Sequence, residues 1–132
     1  MERTNEIGTI KINKSVFGKL VIDAVMATEG KAFIASSKAK IIAALGGGRP
    51  SIGEVTDNIR TTFSEDGVVL EFDIIMSFGA SIQKNTDLML NALEEALKSM
   101  FPDQPGVVRI KIVGVKSRKI ALRDIEVERR WN

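Results

Sequence analysis

Hydrophobic and polar positions along the chain switch between two periods, and the switches mark its elements. In "SVFGKLVIDAVMATEGK", Val16, Phe17, Leu20, Val21, Ala24 and Ala27 recur at helical spacing. Ser15 is placed to cap this helix, and Gly30 suits the left-handed residue that ends it. Upstream, "IGTIKIN" puts Ile10 and Ile12 on one face and predicts a short opening strand. Downstream, Phe33 and Ile34 are compatible with a short strand. Lys38 to Leu45, with Ile41, Ile42 and Leu45 apolar, reads as a short helix running into three consecutive glycines.

A hairpin follows with a well-specified register. "EVTDNIRTTF" places Val55, Ile59 and Phe63 on one face, interrupted by Asp57 and Thr61. "SEDG" is turn chemistry, and "VVLEFDIIMSF" carries Val68, Leu70, Phe72, Ile74, Met76 and Phe78 on one face. A loop over Ser64–Gly67 pairs Phe63 with Val68, Thr61 with Leu70 and Ile59 with Phe72, and sets Arg60 against Glu71. A slip by one residue would turn every apolar group outward.

Ser81 then caps a second helix, "IQKNTDLMLNALEEALKSMF", with Ile82, Met89, Leu93, Ala96 and Met100 as its core stripe and Pro102 as its stop. "QPGVVRIKIVGV" is a strand with Val108, Ile110 and Ile112 inward. Half-polar strands and helices with a single apolar stripe predict an α/β fold of α+β type. Its form is a small, mostly antiparallel open sheet with two main helices on one face. The expected order is β-α-(short helix)-β-β-α-β. Residues 1–116 read as one domain, and residues 117–132 as a basic C-terminal tail.

Composition narrows the chemistry. The 132 residues are 44% hydrophobic and 27% charged, with a net charge of +2. That balance suits a globular domain and argues for neither nucleic acid nor an anionic surface as a bulk partner. The charge is uneven, however: the stretch from Lys116 onward carries six basic residues against three acidic ones. Cys, His and Tyr are absent. Zinc sites and histidine-assisted nucleophiles therefore lack their usual residues, and no metal or cofactor is expected. The N-terminus has no apolar core after a basic start, and no apolar run reaches the length of a membrane span. A cytoplasmic protein is expected.

The glycine run does not fit a phosphate loop. No Lys-Ser or Lys-Thr follows it, and it trails a helix C-terminus, whose carbonyls repel phosphate. A helix stop and loop is the better reading. A KH-like G-x-x-G clamp is disfavoured because Pro50 and Gly53 argue against a helix directly after the glycines. Among carboxylates, Glu71 and Asp73 share a strand face, Glu94 and Glu95 diverge on a helix, and Asp57 sits among apolar neighbours. Glu71 is better explained as a cross-strand partner of Arg60 than as a catalytic acid. No enzyme is expected.

The stretches "GTIKINKSVFGKLVIDAVMATEGK", "AKIIAALGGGRPSIGEV", "VVLEFDIIMSFGASIQKNTDLMLNALEEAL" and "VVRIKIVGV" together resemble the alkaline shock protein family, envelope stress response proteins of Gram-positive bacteria. Phe78-Gly79 stands where the family has Tyr-Gly, and Ile110, Ile112, Gly114 and Val115 fit its closing strand. The segment "E-G-V" becomes "E-G-K" at Glu29, and the tail from Ser117 lies outside the likeness. The resemblance implies a non-catalytic cytoplasmic protein that forms homo-oligomers. Such proteins gather as a scaffold at the inner face of the membrane, through a membrane-anchored protein partner. It supplies no catalytic or metal-binding residue. A nucleic-acid module using Arg109, Lys111 and the basic tail is the alternative.

The residues themselves suggest where a partner would meet the sheet. Val69, Ile75, Val113 and Val115 are expected outward beside Arg109 and Lys111, which makes a mixed apolar and basic face. In the tail, Ile125 and Val127 alternate as in a strand, and Trp131 is a large apolar group. The tail is expected either to fold back on this sheet or to reach a neighbouring subunit.

Overall fold

The computed structural model describes residues 13–42 and 50–132. The expected opening strand with Ile10 and Ile12, and the glycine run with Arg49, lie outside them. Eight elements follow in order. They are α1 (Ser15–Met26), β1 (Ala32–Ala35), α2 (Ile52–Asp57), β2 (Arg60–Ser64), β3 (Gly67–Ser77), α3 (Ile82–Met100), β4 (Gly106–Lys116) and β5 (Ile120–Trp131). The five strands form one sheet in the order β1-β3-β4-β5, with β2 also paired to β3. Every pairing is antiparallel except that of β3 with β4, which α3 connects. The architecture is α+β, a mostly antiparallel open sheet carrying its two long helices on one side.

Local chemistry explains most boundaries. Ser81 Oγ accepts from the Lys84 amide at 3.0 Å and starts α3 as expected. At α1 the capping side chain is instead Asn13, whose Oδ1 accepts from the Ser15 amide at 3.0 Å. Ser15 is the first helical residue and caps nothing. The helix ends through Thr28, whose buried hydroxyl donates to the Val25 carbonyl and accepts from the Ala32 amide. Gly30 follows at φ 88°, in the left-handed region.

Two expectations fail between β1 and β2. The stretch Lys38–Ile42 is a turn with a single bridge from Ile41 to Ala35, not a helix. The helix comes later, as α2, where alternation had suggested the start of a strand. Ser51 Oγ accepts from the Glu54 amide at 3.1 Å, so "SIGE" is a Ser-x-x-Glu helix start that outweighs Pro50 and Gly53. Val55 is buried from this helix, whereas Asp57 is exposed at its end and not among apolar groups. The hairpin register is the expected one from Arg60 onward: Arg60 faces Glu71, Thr61 faces Leu70 and Phe63 faces Val68.

The core lies between the sheet and the helices. Leu70, Phe72, Ile74, Ile110 and Ile112 are fully buried against Val21 and Ile22 of α1 and Met89, Leu93 and Leu97 of α3. The α3 stripe is shifted from the expected one: Leu97 is buried and Met100 exposed. The spacing Thr86, Met89, Leu93, Leu97 follows the helical period more closely. Phe101 closes one end, with its ring 4.8 Å from Phe63 and 6.4 Å from Phe17.

The stretch that follows Ser117 completes the sheet. β5 runs the length of β4, and Val127 faces Ile110 while Ile125 faces Ile112. Trp131 lies over Gly106, where any added Cβ would stand 2.2 Å from the indole ring. Only glycine lets the ring sit there, and it places Trp131 in the core.

Candidate functional site

The residues singled out for a partner surface fall on two opposite faces. Val127, Ile125 and Trp131 face the helix layer and pack against the core. Arg109, Lys111 and Val69 face away from it, beside Glu71 and Asp73. Ile75 stands on that outer face between Phe33 and Gly114, yet it is fully buried. Val113 is an extra residue: β4 passes from Ile112 to Gly114 while β3 advances from Ile74 to Ile75. The bulge reverses the alternation, so Val115 pairs with the core residue Met76 instead of joining the outer face. No composition or period signals a bulge of this kind.

The outer face is a ladder of opposite charges. Arg60 Nη2 lies 2.8 Å from Asp73 Oδ1, and its Nε lies 3.2 Å from Glu71. Lys111 reaches the other Glu71 oxygen at 3.3 Å. Arg109 Nε donates to Glu128 at 2.8 Å and lies 3.7 Å from Glu126, and Arg130 meets Glu128 from the far side. Asp73 is 2% exposed and has Arg60 as its ion partner. Sequence register sets Arg60 against Glu71. The diagonal reach to Asp73, two residues on, is open to a side chain as long as arginine but is not specified by the pairing.

These contacts set the protonation states. Hydrogen bonding to Asp73 raises the Arg60 guanidinium above its ordinary value, in spite of partial burial. Burial pushes the Glu71 carboxyl up, but Arg60 and Lys111 together outweigh it and hold the group below its ordinary value. Arg109, and then Arg130, hold Glu128 down in the same way. A carboxylate held in its charged form by two cations is a poor proton carrier near neutral pH. On the opposite face Arg129 binds Glu94 at 2.9 Å and Asn91 at 2.9 Å, which ties β5 to α3. Lys98 and Arg129 keep Glu94 below its ordinary value.

An apolar cavity of about 490 Å³ lies at the β1 edge. Val25, Met26, Phe33, Ile34, Ile42 and Pro50 line much of it, and Glu29 and Lys116 are its titratable groups among the described residues. No group of carboxylates among the described residues is arranged to hold a metal ion. No helix among them is long and apolar enough to cross a membrane.

A two-layer α+β domain with a self-neutralised sheet face and an apolar edge cavity defines a small module with surfaces for contact. The chain matches the model of the Asp23 family, described as having a cell envelope-related function, over residues 2–117. It belongs to that family, whose name is unrelated to the residue Asp23. This is the family of alkaline shock proteins that the sequence resembles. No curated protein and no solved structure matches the chain.

Proposed function

We propose that this protein is a non-enzymatic member of the envelope stress response, working as a self-associating scaffold. It meets the inner face of the membrane through a membrane-anchored protein partner. Membership of an envelope-related family over residues 2–117 carries this reading. Three features support it. The outer-face carboxylates are committed to ion pairs, which leaves them unsuited to acid–base work. The cavity lining is dominated by apolar side chains. The sheet ends in β5, twelve residues long, whose far edge offers backbone groups to another strand. The nucleic-acid alternative is weakened because Arg109 and Lys111, its central residues, are each neutralised by glutamate.

The test is light scattering on the purified full chain over a concentration series. A mass that rises in steps of the 14.4 kDa chain supports the scaffold. A monomer at every concentration contradicts it.

A further inference from the structure

Cations that lack an acidic partner concentrate at one end of the sheet. The β4–β5 turn reads Lys116-Ser117-Arg118-Lys119, closed by a bond from the Ser117 amide to the Lys119 carbonyl at 3.0 Å. Arg123 follows on β5. Lys116, Arg118 and Lys119 are exposed, as is Arg123, and none has an ion pair among the described residues. Asp124 is the single acid between residues 116 and 124. The outer-face cations a few residues away are all paired.

The same end carries the two most exposed large apolar side chains of the described residues, Phe78 at 76% and Leu122 at 72%. Phe78 extends β3 beside the turn, its amide donating to the Lys116 carbonyl at 2.8 Å. Leu122 faces Gly114 on the neighbouring strand. Two apolar groups are thus held out in water at the end of the sheet that also carries these unpaired cations. Holding them there costs hydrophobic free energy that the fold does not recover internally.

We propose that this hairpin end docks directly on an anionic lipid surface. The cations meet lipid phosphates, while Phe78 and Leu122 insert at the boundary between headgroups and acyl chains. This is the division of labour of interfacial amphipathic segments, here placed on the ends of strands. Leu122 favours lipid over single-stranded nucleic acid, because an aliphatic side chain gives a base no face to stack on. The proposal rests on the envelope reading but adds a contact made by the chain itself, without a partner protein.

The experiment is co-sedimentation of the purified full chain with vesicles of phosphatidylcholine, with or without phosphatidylglycerol. Binding is expected only to vesicles that contain phosphatidylglycerol, and it should weaken as salt rises. R118E/K119E should lower partitioning by at least roughly thirty-fold, since each reversal removes one cation's electrostatic contribution and adds a repelled anion. F78S/L122S should lower it on the order of ten-fold. K14E/K38E, which alters exposed lysines away from this end of the sheet, should leave it unchanged, and unchanged urea midpoints confirm that the variants fold. No binding, equal binding to both vesicle types, or binding unaffected by both patch variants overturns the proposal. Capture of a poly(U) RNA by the same residues without vesicle binding also overturns it. Because no partner protein is present, a negative result leaves the light-scattering test of self-association standing.

Discussion

Basic side chains serve two different ends in this molecule, and the outer sheet face and the β4–β5 turn show the contrast. On the face, Arg60, Arg109 and Lys111 are all matched to carboxylates across strands. At the turn, Arg118 and Lys119 have no such partner and stand beside exposed Phe78 and Leu122. The face uses charge to lock a register and to blunt an open sheet surface. The turn leaves charge available for something outside the chain. Net charge alone, at +2, conceals this division.

If β5 is structural and the turn is not, the largest effect should come from Trp131. Trp131→Ala removes the ring that covers Gly106 and should cost about 3–5 kcal/mol of stability, measured by urea unfolding. A loss within the error of the wild type would detach β5 from the fold. Next comes Arg60→Ala, which strands the buried Asp73 carboxylate. A cost of about 2 kcal/mol is expected, below that of a fully buried pair because Arg60 is itself 43% exposed. Adding Asp73→Asn should restore roughly half of it, since the uncompensated charge is gone. A double variant less stable than Arg60→Ala would contradict the pairing.

The paired carboxylates also give the fold a pH signature. Glu71, Glu94 and Glu128 all sit below their ordinary values in the folded chain. The unfolded chain therefore binds more protons in acid, and stability falls as pH falls. This contribution is complete above the ordinary carboxylate range, near pH 4.3, and is lost as pH drops through the lower folded values. Glu71→Gln should flatten the acid limb of the unfolding midpoint against pH. An unaltered limb would show that the ladder does not hold Glu71 down. The smallest effect is expected at the turn, where Arg118→Gln should move stability by no more than about 0.5 kcal/mol.

Much of this fold is legible in the chain because period and turn chemistry agree. Residues 60–77 and 82–100 show it best: one register buries both apolar faces of the hairpin, and Ser81 announces the helix. The helix α2 is hidden because Gly53 and the spacing of Val55 and Ile59 suggest a strand, although "SIGE" holds the contrary signal. The outer surface was only half legible. Alternation finds Arg109 and Lys111, but the extra residue Val113 reverses it for Val115, and strand register alone does not specify that Arg60 reaches past Glu71 to Asp73. The exposed Phe78 and Leu122 carry no sequence signal either, since the same alternation describes buried neighbours.

The most direct test of the division between face and turn compares two charge-matched double variants by urea unfolding at neutral pH. R60Q/R109Q removes two cations from the ladder, and R118Q/K119Q removes two from the turn. The expected result is a clear drop in midpoint for the first and a midpoint within about 0.5 kcal/mol of wild type for the second. Equal losses in both, or a larger loss at the turn, would contradict the account.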